Sequence, residues 1–249
     1  MLTLKGKVIL ITGASSGIGR MCAIIASMLD ASIILIGRDA EKLNQTLGNL
    51  KPGNHLTYSY DLNDVSGIEE IIAECTLKVG KINGFIHSAG IELTKPLLTL
   101  HAKDFQDLFN INVIAAFELA KQISKKKYCS PEGASYIFIS SVTGKIGEPG
   151  KIAYSSSKAA LIGGSKSMAK ELANRNIRVN CILPGIVQTE LTDKMFKSIP
   201  EDSVRKIIEK HPLGIGTPED IAYCASFLLS DLARWITGAS IVIDGGYSI

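Results

Sequence analysis

Short apolar runs rich in β-branched residues recur along the chain, and longer stretches with apolar positions at helical spacing separate them. The strand-like runs are KVILIT (7–12), SIILIG (32–37), LTYSY (56–60), GFIHS (84–88), SYIFIS (135–140), IRVNCIL (177–183) and SIVID (240–244). Helix-length segments fall near 17–29, 39–49, 64–79, 101–127, 152–174 and 217–230. Apolar strands alternating with helices are the mark of βαβ units and of a parallel sheet covered on both faces. The pattern predicts an α/β fold: one doubly wound parallel sheet of about seven strands, with helices on both faces, spanning residues 1–249 as a single domain. No linker, repeat or low-complexity segment interrupts it.

One region departs from the alternation. Residues 188–213, between the sixth and seventh strands, mix charges with Met195 and Phe196, which read as exposed. A long insertion after a strand of such a sheet is expected to act as a lid over the ligand crevice.

Composition narrows the function. The chain has 249 residues, 46% of them apolar, which is enough for a substantial core. Lys and Arg number 27 against 24 Asp and Glu, a net charge of +3. The only basic run, Lys125–Lys127, is too short for a polyanion partner, so nucleic acid is not expected. Five dispersed cysteines without a Cys-x-x-Cys pair suggest free thiols in a reducing compartment. No stretch reaches the ~18 apolar residues of a membrane span, and the N-terminal apolar run is too short for a secretion signal. The expectation is a cytoplasmic protein without a membrane partner.

The first candidate chemistry is the turn TGASSGIG (12–19), between the first strand and the first helix. Gly13 permits the tight turn, Gly17 lets the backbone approach a pyrophosphate, and Gly19 lets the helix pack closely on the strand. The helix N-terminus then favours phosphate through its free N–H groups and dipole. Strand before and helix after are the context that a dinucleotide fingerprint requires.

The second is AYSSSKAA (153–160), where Tyr154 and Lys158 lie one helical turn apart on one face. Reducing a ketone takes a hydride at carbon and a proton at oxygen. A free tyrosine, with pKa about 10, is too weak an acid to be an ideal donor, and an ammonium one turn away favours its phenolate.

The spacing Gly-x-x-x-Gly-x-Gly with Tyr-x-x-x-Lys downstream resembles the short-chain dehydrogenase/reductase family. The resemblance runs over nearly the whole chain, through Asp61-Leu62, Ala89-Gly90, Asn112, Ser141, PGIVQTE (184–190) and ITGASIVIDGG (236–246). It implies a Rossmann-type fold and a catalytic set of Asn112, Ser141, Tyr154 and Lys158. Tyr154 would be the proton donor, and Lys158 would also hold the nicotinamide ribose. Ser141, thirteen residues before Tyr154, is preferred to its neighbour Ser140 as the hydroxyl facing the carbonyl oxygen. Asn112 would hold a water that links Lys158 to solvent; read without the resemblance, it is a helix-interior Asn bound to backbone. Cofactor contacts are implied at Gly13, Ser15, Ser16, Gly17, Ile18 and Gly19, at Arg38, Asp61, Leu62, Ala89 and Gly90, at Tyr154 and Lys158, and at Pro184, Gly185, Val187 and Thr189. His87-Ser88 stands where the family often has Asn-Asn. The Arg that many relatives carry after Pro-Leu-Gly is missing from HPLGIGTPEDIA (211–222).

Within the family the chain looks closest to 3-oxoacyl-acyl-carrier-protein reductases, especially over 154–180. Arg175 falls where relatives that bind the carrier have a basic residue. Sugar, polyol or steroid dehydrogenation is the alternative. The intact catalytic set argues against a non-catalytic nucleotide sensor, and the glycine spacing against a sugar-nucleotide epimerase. NADPH is the expected cofactor, with NAD possible. Gly37 stands where NAD users have Asp, Arg38 follows it, and Asp39 suits the N-cap of the next helix. Against this, Ser16 occupies a place that is basic in many NADPH users. Relatives pair their long helices in homotetramers, and Ala115, Ala116, Gly163 and Gly164 read as small residues left free for such an interface.

Overall fold

The computed structural model describes residues 1–197 and 199–249. Seven strands form one parallel sheet: β1 Val8–Thr12, β2 Ser32–Gly37, β3 Leu56–Ser59, β4 Gly84–His87, β5 Ala134–Ile139, β6 Ile177–Pro184 and β7 Ser240–Ile243. Their order is β3-β2-β1-β4-β5-β6-β7, and every neighbouring pair is parallel. The chain winds outward from β1 in one direction and from β4 in the other. The crossovers therefore diverge between these two strands, which opens a crevice at their carboxyl ends.

The sheet is apolar on both sides because both sides are covered. α1 (Gly17–Met28), α2 (Ala40–Gly48) and α10 (Pro218–Leu229) pack on one face, where Ile9, Ile11, Ile33 and Leu35 point. On the other face Leu10, Ile34, Phe85, Tyr136 and Phe138 meet α3 (Ile68–Val79), α5 (Ala115–Ile123) and α7 (Ile152–Leu172). Alternate residues of one strand thus serve two cores. Each fully buried Ile or Leu contributes roughly 1.5–3 kcal/mol.

The long helix expected over 101–127 is not continuous. It begins as α4 (Ala102–Phe109), passes through a π turn at Asn110–Ile114, and resumes as α5. At that turn the N–H of Ala115 bonds the carbonyl of Asn110, five residues back. Asn112 sits in the turn, fully buried, with its amide drawn onto another segment. Such turns inside helices are frequent at functional sites. The helix expected from 64 starts at Ile68, because Asp61 and Asp64 first close turns with Asn63 and Ser66. A one-turn helix, α6 (Thr143–Ile146), was not foreseen.

The insertion consists of α8 (Glu190–Lys197) and α9 (Glu201–Glu209), with Ser198 outside the described residues. Met195 and Phe196 are half-buried rather than exposed: Met195 faces the crevice and Phe196 faces α9.

The small-residue argument for an interface fails at two of its four positions, Ala115 and Ala116, while Gly163 is exposed and Gly164 half-buried. Ala115 and Ala116 are fully buried in the chain's own core, and Gly164 lies against the Phe117 ring. Only at Gly163 would an added side chain point into open space. Apolar surface instead shows around α10, at Tyr223, Phe227, Leu232 and Trp235.

Candidate active site

The crevice has a volume of about 900 Å³. Its two halves are built differently. One is backbone and glycine; the other carries the ionisable side chains.

The glycine half fits a dinucleotide. Gly13 has φ +65°, and a methyl group there would lie 2.7 Å from the Ala89 nitrogen, so nothing larger than glycine lets β1 and β4 end side by side. A methyl at Gly19 would collide with the Gly13 carbonyl, which is why the helix can start so close to the strand. At Gly17 it would come within 3.2 Å of Thr189 Cγ2. Ser16 precedes α1 in extended conformation without a side-chain cap, and no acidic residue stands in the first turn. The N–H groups and positive dipole end of α1 are thus left for an anionic group. Ser15, Ser16, Gly17, Ile18, Arg38, Asp61, Leu62, Ala89 and Gly90 line this half, with Pro184, Gly185, Val187 and Thr189 opposite. Gly19 lies behind the wall.

β4 ends in His87, fully buried. Thr12 Oγ1 and His87 Nδ1 share a hydrogen bond of 3.0 Å, and Thr12 Oγ1 accepts from the Ala89 N–H at 3.2 Å. His87 therefore fixes the Ala89-Gly90 backbone through the end of β1. Burial first, and the charge of Lys158 second, push its pKa down to about 3, so the ring is neutral. Its Nε2 is buried without a hydrogen-bond partner among the described residues.

The other half is centred on Tyr154 and Lys158, both near the start of α7. Lys158 Nζ lies 5.6 Å from the Tyr154 ring centroid and donates to the Ile139 carbonyl at 2.9 Å. Burial pulls Lys158 down to about 8. It pushes Tyr154 up to about 12, against which a hydrogen bond with the Ser141 side chain works. The lowering of Tyr154 expected from Lys158 is not what the chain by itself produces: burial raises the phenol, and the contact that opposes this is the one with Ser141.

The two candidate serines separate. Ser140 Oγ donates to the Lys158 carbonyl at 2.8 Å and ties β5 to α7. Ser141 Oγ accepts from Thr143 N–H and Oγ1 at 3.2 and 3.0 Å, and faces Tyr154. α6 thus orients Ser141. A methyl at Gly144 would lie 2.8 Å from the Lys158 carbonyl carbon, so this glycine sets how closely α6 approaches α7.

Asn112 does not line the crevice. Its Oδ1 accepts from Ile91 N–H at 2.8 Å, and its Nδ2 donates to the Ile91 carbonyl at 3.0 Å and to Ser157 Oγ at 3.0 Å. The amide is thus engaged by the Ile91 backbone and by the Ser157 hydroxyl.

Some lining residues carried no sequence signal. Tyr247 stacks on His211 at 4.6 Å between centroids, and both Tyr247 and Glu148 close the side away from the glycine turn. Lys151 had a signal that went unread: it precedes Tyr154 by three residues, on the same helix face.

A phosphate-binding turn opposite neighbouring Ser141 and Tyr154 side chains, with a buried lysine behind, defines a nicotinamide-dependent oxidoreductase acting on a carbonyl or its alcohol. The chain belongs to the short-chain dehydrogenase/reductase family. A family model described as enoyl-(acyl carrier protein) reductase matches residues 13–248. The chain is 35% identical to a 3-oxoacyl-[acyl-carrier-protein] reductase of Thermotoga maritima, over 100% of both chains. It is 38% identical to the protein of the same description in Rickettsia conorii, over 99% of this chain and 98% of that one. Carbonyl reductase family member 4 of Xenopus tropicalis is 33% identical over 98% of each. Among solved structures, a dehydrogenase/reductase of Sinorhizobium meliloti superposes with a TM-score of 0.91 at 29% identity, covering 100% of this chain and 97% of that one.

Proposed function

We propose that this enzyme is an NADPH-dependent reductase of 3-oxoacyl thioesters, taking the acyl chain from an acyl carrier protein and returning the 3-hydroxy product. The observation that carries the reading is the convergence of Ser141 Oγ and the Tyr154 hydroxyl, with Lys158 behind them. The reduced nicotinamide, when bound, supplies the hydride.

The chain's own residues handle the oxygen. Ser141 donates a hydrogen bond to the ketone oxygen as negative charge develops there. Tyr154 gives its proton to that oxygen, and the Lys158 ammonium stabilises the phenolate left behind. Asn112 acts as a positioning residue: its amide holds the Ile91 backbone, which follows the Ala89-Gly90 contact. The exposed Arg38 reads a ribose 2′-phosphate. The insertion 188–213 closes over the bound ligands, and residues 1–249 act as one unit.

The full-length 3-oxoacyl reductase relatives favour this substrate over a sugar or steroid. Arg175 is available to the acidic carrier. The family model's description favours enoyl thioesters as the second reading; hydride addition to these also puts negative charge on a carbonyl oxygen, so the two hydroxyls serve either reaction, and the 3-oxoacyl reductase relatives favour the ketone. The exposed aromatic face of α10 supports assembly into a homotetramer, and we place the enzyme in the cytoplasm; among the described residues no helix is long and apolar enough to cross a membrane. Cofactor oxidation measured against 3-oxoacyl thioesters, enoyl thioesters, ketosugars and diketones tests the reading. The 3-oxoacyl thioester should give the highest kcat/KM; a higher value for any other class replaces it.

A further inference from the structure

On the far side of Tyr154 from the glycine turn, the crevice contains an ion pair that the reduction of a ketone does not use. Lys151 Nζ pairs with the Glu92 carboxylate and donates to Thr94 Oγ1 at 2.6 Å. The two charged side chains keep 12% and 25% of their exposure, and all three residues line the crevice beside Tyr154 and Ser141. Lys151 is the N-cap of α7, three residues before Tyr154, and its Nζ lies 6.0 Å from the Tyr154 ring centroid. Two ammonium groups thus lie near the ring, Lys158 at 5.6 Å and Lys151 at 6.0 Å from its centroid.

A purely structural role explains this poorly. The segments carrying Glu92 and Lys151 are already tied by the Lys95 N–H, which donates to the Gly150 carbonyl at 2.8 Å. A largely desolvated ion pair is a weak source of stability, since desolvation offsets much of the attraction. It is also a poor surface for an alkyl chain, which would lie against charges that it cannot solvate. A carbonyl oxygen suits it better, because the ammonium has three donors, and Glu92 and Thr94 engage two of them. The Nζ is close enough to Tyr154 for one substrate to reach both when its second oxygen lies a few bonds from the ketone.

We propose that Lys151, held by Glu92 and Thr94, is a specificity residue that hydrogen-bonds the second carbonyl oxygen of a 1,3-dicarbonyl substrate while Tyr154 and Ser141 hold the ketone being reduced. The proposal rests on the carbonyl-reductase reading of the site and deepens it: the second oxygen is that of the thioester next to the 3-ketone. Glu92 sets the direction of the ammonium and, by neutralising it, keeps a free carboxylate from being the preferred ligand.

The test compares three substrates with NADPH: a 3-oxoacyl thioester, the ethyl ester of the same 3-oxo acid, and a monoketone of similar size. The ratio of kcat/KM for either dicarbonyl to that for the monoketone should fall about 10- to 100-fold in Lys151→Met, mainly through KM, as expected when a charged hydrogen bond is lost. Lys151→Gln, which keeps an N–H donor, should restore part of the ratio. The double variant Glu92→Gln/Lys151→Met, which leaves no unpaired charge, should show the same loss as Lys151→Met. An unchanged ratio in a Lys151→Met protein that still binds NADPH overturns the proposal, as does an equal loss for all three substrates. A wild-type enzyme that reduces the 3-oxo ester and not the thioester removes the acyl-carrier reading while leaving the Lys151 assignment to be decided by the ester. One that reduces neither dicarbonyl overturns both.

Discussion

Tyr154 and Lys158 lie one helical turn apart, with the lysine Nζ 5.6 Å from the tyrosine ring, and burial moves them apart on the pH scale. Tyr154 goes up to about 12 and Lys158 down to about 8. Between these values the phenol is protonated and the lysine has lost its charge. kcat/KM for reduction is therefore expected to fall as pH rises through about 8, approaching a tenfold loss per unit, because the group that stabilises the phenolate is then neutral. Below that pH both groups are in the required form, and the profile should be level. In Lys158→Arg, whose guanidinium stays charged, the fall near 8 should vanish even if the plateau is lower. A wild-type profile level from pH 6 to 10 would show that the Lys158 charge does not limit the reaction.

Tyr154→Phe removes one hydroxyl and little else. Turnover should drop 10²–10⁴-fold, the usual cost of removing a general acid. NADPH binding, followed by fluorescence titration, should stay within a few-fold of wild type, because the glycine half of the crevice is untouched. Retention of more than about a tenth of the wild-type rate would remove Tyr154 as proton donor.

His87 predicts an acid-sensitive fold. Its folded pKa of about 3 lies below the ordinary value of 6.5, because burial penalises the charged ring. The unfolded chain therefore takes up a proton between these values that the folded chain refuses. Stability should be lost as pH falls from about 6.5 toward 3, by at most about 1.4 kcal/mol per pH unit from this group. Urea midpoints of wild type and His87→Asn at pH 7, 6, 5 and 4 measure it. The Asn variant should show a shallower decline, whatever its stability at neutral pH. Parallel declines would mean that other groups carry the acid sensitivity.

The fold was legible because its signal is local and repeated. Ile9, Ile11, Ile33 and Leu35 announce strands wherever they sit in the sheet, and helices between them leave only a parallel arrangement. The phosphate turn was legible for a related reason: Gly13 and Gly19 are required by steric collisions with the end of the adjacent strand and within the turn itself, and Gly17 by its φ of +50°. The break in the helix at Asn112 was not legible, because it depends on hydrogen bonds to Ile91, 21 residues earlier in the chain. The burial of Ala115 and Ala116 escaped for another reason. Small residues permit close approach to whatever lies opposite, and sequence alone does not say whether that is a second chain or the chain's own sheet. The role of His87 needed both strand ends at once, since Thr12 and Ala89 meet only through the β1–β4 pairing.

The last prediction concerns cofactor choice, which turns on two neighbouring residues. Gly37 ends β2, and a methyl group there would lie 3.3 Å from Leu43 Cδ2, so a carboxylate at that place would be crowded as well as repelled by a 2′-phosphate. Arg38 is exposed at the rim of the crevice, and among the described residues its guanidinium takes part in no ion pair. Asp39, the nearest acid, is occupied as the N-cap of α2, its Oδ1 accepting from the Lys42 N–H at 3.0 Å. A guanidinium engaged in no ion pair, and so free to make paired hydrogen bonds, should select the 2′-phosphate. Steady-state kinetics with both cofactors should give a higher kcat/KM for NADPH. In Arg38→Ala the NADPH-to-NADH ratio should fall about 10- to 100-fold, the range for losing hydrogen bonds to a charged group. A wild-type preference for NADH, or an NADPH preference that Arg38→Ala leaves unchanged, would assign the reading of the ribose to other residues.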